Sequence, residues 1–186
     1  MSSRREQVIE AAIRVLGRDG LRQLTHRAVD AEAGVPSGTT SNHVRTRDAL
    51  LRAVIERLGA LDQADWERFA GEVSPGDPTE LAQALIEVVR GAVGPARDRT
   101  LARYALALEA AVRPELQSHM LRGRADVLRW AVPWLRRAGS AQPETHARLL
   151  LDYLDGVIMH QLSFPEPDFD PGPGVRTLLT ALSRTQ

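Results

Sequence analysis

Between Gly34 and Val44 the chain reads Gly-Val-Pro-Ser-Gly-Thr-Thr-Ser-Asn-His-Val. Ser37, Thr39, Thr40, Ser41, Asn42 and His43 are short side chains that give and take hydrogen bonds, so their backbone can lie close to another polymer. Asn pairs in bidentate fashion with the edge of adenine, and a Thr methyl group can rest on the methyl of thymine. Gly38 permits close approach of a sugar-phosphate chain. The flanks supply further groups. Thr25 can offer its hydroxyl and backbone N–H to a phosphate at the positive end of a helix. Arg27 can reach a phosphate or a base edge, and Arg47 can clamp a flanking phosphate. The chemistry implied is non-covalent recognition of double-stranded DNA. A loop closed by local Ser, Thr and Asn turn bonds is the competing reading. It leaves the succession of cap, turn glycine, small polar helix and basic flank without a reason.

Other chemistry finds little to work with. The chain has no cysteine, which excludes disulfides, thiolate metal sites and cysteine nucleophiles. Its histidines (His26, His43, His119, His146 and His160) show no metal-ligand spacing, and no nucleophile-elbow, P-loop or dinucleotide motif occurs. Asp152 and Asp155 share a helix face, where such a pair is read as a solvated face or an interface ion pair rather than a catalytic dyad. No enzyme activity, metal or cofactor is expected.

The elements that must position the polar stretch are helices. A first helix is predicted over Ser3 to Arg18, with Val8, Ile9, Ala12, Ile13 and Leu16 on one face and Gly17 and Gly20 ending it. Thr25 caps a second over 26–33, which Gly34 terminates. The third, over 36–43, is built from weak helix formers and needs tertiary packing, with Val35 and Val44 as anchors. A fourth starts at Thr46, carries Leu50, Leu51, Val54, Ile55, Leu58 and Leu61 as its stripe, and runs to Phe69. Ser74-Pro75-Gly76-Asp77-Pro78 is a break. Five more helical patterns follow, over 79–93, 98–112, 114–138, 143–162 and 172–184, with Pro133 expected to kink the seventh helix. No alternating strand pattern is present. The class is all-α with nine helices, divided into a helix-turn-helix domain over 1–46 and a larger helical domain over 47–186.

The zero net charge hides a division. Residues 1–57 hold ten Arg against seven acidic residues, and the remainder holds fourteen Arg against seventeen. The basic end is the end that would meet phosphates. The N-terminus lacks the apolar run of a signal peptide, and no apolar stretch nears the ~18 residues of a membrane span. A soluble, cytoplasmic protein without a membrane partner is expected.

Taken together, Thr25-His26-Arg27, Ala33-Gly34-Val35, Gly38-Thr39 and Arg47-Asp48-Ala49-Leu50 make residues 4–58 resemble the N-terminal domain of the TetR family of transcriptional regulators. Three departures stand out. Ser41 occupies the place of the tyrosine usual in the middle of the recognition helix, and His43-Val44 that of an aromatic pair. Asp30 occupies the place of a small Ala, where it either caps the third helix or points outward. Pro36 takes the usual N-cap position of that helix, so capping must come from elsewhere.

The resemblance implies that the C-terminal helices dimerise and enclose an inducer pocket. Two wide apolar faces suit a four-helix dimer interface. One includes Leu149, Leu150, Tyr153, Leu154, Gly156, Val157 and Ile158, and the other Val175, Leu178, Leu179 and Leu182. Trp66, Phe69, Tyr104, Leu108, His119, Met120, Trp130, Trp134 and Met159 are the candidate pocket residues, apolar or amphipathic as small-molecule sites require. The reading is a homodimeric, inducer-responsive repressor of a palindromic operator. The alternative is a helical ligand-binding protein or enzyme without specific DNA binding.

Overall fold

The computed structural model describes residues 3–72 and 77–184. Among these the chain forms nine α-helices and no strand: α1 (Arg4–Asp19), α2 (His26–Ala33), α3 (Thr39–His43), α4 (Arg47–Glu72), α5 (Pro78–Val93), α6 (Arg97–Val112), α7 (Pro114–Arg137), α8 (Pro143–Ser163) and α9 (Gly172–Arg184). A 3₁₀ turn over Leu21–Gln23, not anticipated from the sequence, joins α1 to α2. The all-α expectation is borne out. Residues 74–76 of the expected break lie outside the described residues. Asp77 caps α5 by accepting the N–H groups of Thr79 and Glu80 at 2.7 and 3.3 Å, with Pro78 as the first helical residue.

The described residues fall into two compact units. One takes those of Met1–Gln63 with Ala96–Gly123, and the other those of Ala64–Pro95 with Arg124–Gln186. In the first, the predicted stripe of α1 is buried against α2 and α6, and α4 contributes Leu50, Leu51, Val54, Ile55 and Leu58 to the same core. α1 starts with a capping box: the Ser3 hydroxyl accepts Glu6 N–H, and the Glu6 carboxylate accepts Ser3 N–H.

The expected stop at Gly17 is corrected. α1 passes through Gly17, and Gly20, at φ 81°, ends it. Gly17 serves packing instead: a Cβ there would overlap the Asp98 carbonyl group, so the missing side chain lets α1 and α6 meet at backbone distance.

In the second unit α5 packs against α8 and α9. Its apolar face (Leu81, Leu85, Ile86 and Val89) is buried, as are Leu150, Leu154 and Ile158 of α8 and Val175, Leu179 and Leu182 of α9. α7 continues as helix through Pro133. No described helix is long and apolar enough to cross a membrane.

Candidate nucleic-acid interface

The turn between α2 and α3 is organised by one residue, Asp30. Its backbone carbonyl accepts Val35 N–H at 3.0 Å, closing α2 beyond Gly34, which adopts the left-handed conformation (φ 64°). Its side chain then opens α3. One carboxylate oxygen accepts Gly38 N–H at 2.7 Å, and the other accepts the Thr40 N–H at 2.7 Å and the Thr40 hydroxyl at 2.5 Å. Asp30 is only 4% exposed, so it caps the third helix and does not point outward. This supplies the cap that Pro36 cannot. Burial pushes the Asp30 carboxyl up. The bonds from Thr40 and Gly38, with His26 nearby, outweigh that and hold it below the usual carboxylate range.

α3 is shorter than the predicted 36–43, because Pro36 and Gly38 (φ 92°) form a turn that delivers the chain to Thr39. The conformation of Gly38 explains the glycine by itself. Val44 is buried and Val35 packs on the core, as the anchoring argument requires. His26 Nε2 donates to the Val44 carbonyl at 2.7 Å, and Gln7 Nε2 to the Ala33 carbonyl at 2.8 Å, so both ends of the α2–α3 pair are tied down.

The predicted contact residues divide sharply. Ser37, Asn42 and His43 are exposed with no partner among the described residues. Thr39 and Ser41 donate their hydroxyls to the carbonyls of Pro36 and Gly38, which leaves them only as acceptors. Thr40 is a correction: it is fully buried and its hydroxyl donates to Asp30, so its side chain holds the helix from within and is not presented at the surface. Thr25 caps α2 by accepting Ala28 N–H at 3.1 Å, and Arg27 is exposed with no partner among the described residues.

Arg47 is also revised. Its two terminal nitrogens donate to the carbonyls of Leu24 at 2.5 Å and Leu21 at 2.6 Å, an anchoring duty the sequence did not suggest. Arg113 is a second such case. It joins Asp48 of α4 (2.6 Å), Glu109 of α6 (3.2 Å) and Glu115 of α7 (2.9 Å). Its guanidinium holds Asp48 below the usual carboxylate range, and hydrogen bonding in its own first turn together with Arg113 does the same for Glu115.

The candidate pocket residues do not form one group. Trp66, Phe69, Trp130 and Trp134 come together in the second unit, with ring centroids of 5.1 Å for Trp66–Phe69, 5.8 Å for Trp66–Trp130 and 5.4 Å for Phe69–Trp134. Tyr104, Leu108, His119 and Met120 belong to the first unit. There Leu108 is 70% exposed, Met120 packs on the core, and His119 Nδ1 accepts from Arg122. Met159 is exposed at 37%. Leu108 and Met159 are therefore exposed side chains and not part of the aromatic cluster.

The dimer-face residues divide too. Leu150, Leu154, Ile158 and Leu182 are core residues of the chain itself, which corrects their assignment to an interface. Tyr153, Val157 and Leu178 are partly buried, and Leu149 is half exposed. Tyr153 lies under the start of α9, where a Cβ on Gly174 would clash with its hydroxyl. A groove of about 690 Å³ opens beside Tyr153, Val157 and His160 and is not lined by the aromatic cluster. Asp152 and Asp155 pair with Arg124 at 2.6 and 3.8 Å. No described group of three or more His, Asp or Glu could hold a metal ion.

Residues 76–185 match the family model described as the Tetracyclin repressor-like, C-terminal domain. No curated protein matches the chain. Among solved structures, the multidrug binding protein EbrR complexed with ethidium is 31% identical, with 97% of this chain and 98% of that chain covered and a TM-score of 0.72. A TetR family member (SCO1917) from Streptomyces coelicolor A3 gives the same identity, coverage and score. A transcriptional regulator (RHA1_ro04179) from Rhodococcus sp. Rha1 shares the fold at a TM-score of 0.77, with 23% identity over 97% of this chain and 96% of that one.

Proposed function

Because this chain belongs to the TetR-like family of transcriptional regulators, we propose that it is a homodimeric repressor that binds a palindromic operator and is released by a small-molecule inducer. The carrying observation is the Asp30-capped α3, which leaves Ser37, Asn42 and His43 uncommitted on its exposed side. Exposed polar side chains at so short a helix serve no packing purpose, whereas a major groove supplies partners for them. Thr25 and Arg27 at the start of α2 would take phosphates, with Thr39 and Ser41 accepting from base edges. In a dimer the two recognition helices would enter successive major grooves about 34–36 Å apart.

Dimerisation would use the outer faces of α8 and α9, through Leu149, Tyr153, Val157 and Leu178. The DNA-binding part would be residues 1–46, with 47–186 holding the ligand and the dimer face.

For the inducer, the Trp66–Phe69–Trp130–Trp134 cluster is the favoured site. Tilted and edge-to-face rings offer aromatic faces and edges to a planar ligand, and the likeness to EbrR with ethidium suggests a planar aromatic cation. Inducer binding would shift the chain toward a state with the wrong half-site spacing, by as much as the ligand's differential affinity allows. A gel shift with the DNA upstream of the protein's own gene tests the reading. A retarded band at moderate salt supports it; indifference to every genomic fragment would sink it.

A further inference from the structure

Arg47 stands at the first position of α4, and each of its terminal nitrogens donates one N–H to a carbonyl, of Leu24 and of Leu21, so its head is held against the 21–24 turn. Arg45, two residues earlier, is exposed and has no hydrogen-bond or ion-pair partner among the described residues. The same is true of Arg22 in the 3₁₀ turn. Arg27, at the start of α2, is exposed in the same way, whereas Arg14 and Arg18 are paired with Glu32, Arg57 with Glu10 and Arg103 with Asp62.

Arg22 and Arg45 sit on anchored backbone. The bonds from Arg47 grip the residues on either side of the Arg22–Gln23 step. The His26–Val44 bond fixes the residue immediately before Arg45. Arg22 and Arg45 therefore have fixed roots beside the recognition helix and heads left to solvent, an arrangement suited to a counter-charge brought by a ligand.

We propose that Arg45 and Arg22, rather than Arg47, bind the phosphates flanking the DNA segment read by α3. Arg47 is a positioning residue that holds the start of α4 against the 21–24 turn. This assignment rests on the regulator reading above and specifies how its interface grips the DNA backbone.

The test uses the full chain and a mixed-sequence duplex several helical turns long, with affinity measured by fluorescence anisotropy across a salt series. Each lost phosphate contact lowers the slope of log affinity against log salt by about 0.9 per bound chain. Arg45→Gln and Arg22→Gln are each expected to lower it by about that amount and to weaken binding. The double variant should lose about twice as much, with unchanged melting temperature, and Arg45→Lys should restore binding because a phosphate accepts a point charge. Arg47→Gln should lower the melting temperature and keep the slope. A wild-type chain that binds no duplex overturns the regulator reading and this assignment with it. Wild-type binding whose slope survives Arg45→Gln and Arg22→Gln overturns this assignment alone.

Discussion

Asp30 and Thr40 are joined twice, the Thr40 N–H and hydroxyl both ending on a single Asp30 carboxylate oxygen at 2.7 and 2.5 Å. Both residues are buried, so no water replaces either partner when the other is removed. Asp30→Ala should therefore cost about 1–3 kcal/mol, the range for stranding buried polar groups, measurable by urea unfolding. It should also weaken operator binding. Unchanged stability and unchanged affinity together would refute the capping role.

The same carboxylate makes a pH prediction. Its folded-state pKa lies below the ordinary carboxylate value of about 3.9 that the unfolded chain shows. Its stabilisation is therefore complete above that ordinary value and is lost as pH falls through the lower, folded value. The stability difference between wild type and Asp30→Ala should shrink on acidification through that range. Glu32, held low by Arg14 and Arg18, contributes with the same sign and remains in both proteins.

Gly17→Ala should destabilise the first unit by about 1–3 kcal/mol or more, the range for overpacking, because the clash is with backbone rather than a flexible side chain. Gly59, in the interior of α4, is the control, since a Cβ added there would meet nothing within 4 Å. Gly59→Ala should stabilise by about 0.4–1 kcal/mol. Equal unfolding midpoints for the two variants would contradict the close approach of α1 and α6.

Much of the fold was legible because helical periodicity, proline and glycine punctuation and N-cap chemistry are local signals. Thr25, Thr46 and Gly34 act where the sequence placed them. What was not legible depended on orientation. Thr39, Thr40 and Ser41 are equally small and polar in sequence, yet only Thr40 turns inward, because Asp30 sits behind it. Arg47 reads as a surface cation until the carbonyls of Leu21 and Leu24 are seen within its reach. The apolar runs of α8 and α9 promised an interface, but one chain already uses Leu150, Leu154, Ile158 and Leu182 for its own core.

Asn42→Ala and Thr40→Val should separate reading from holding. Asn42→Ala is expected to relax operator specificity by about 1–3 kcal/mol at a single base pair while the unfolding curve stays in place. Thr40→Val should lower stability by about 1 kcal/mol, through a lost hydrogen bond, and leave the base preference intact. Operator selection from a randomised pool, paired with thermal melts, distinguishes the two. A Thr40→Val protein with altered base preference would return Thr40 to the reading surface.

All three tryptophans of the chain belong to the cluster with Phe69, so intrinsic tryptophan emission reports on that cluster alone. Ethidium titration should quench it saturably. Trp66→Ala should weaken ethidium by about two- to ten-fold, the value of one ring–ring contact. Quenching that does not saturate, or an affinity indifferent to Trp66→Ala, would count against the cluster as the ligand site.

α3 is held from its buried side, by Asp30, Thr40 and Val44, while Ser37, Asn42 and His43 are exposed. Those outward positions are thus free to drift in a lineage without threatening the fold. On the proposed reading of α3, a duplicated copy of this chain would acquire a new genomic address through one or two substitutions, and an engineer could rewrite the same few letters without first rebuilding the scaffold.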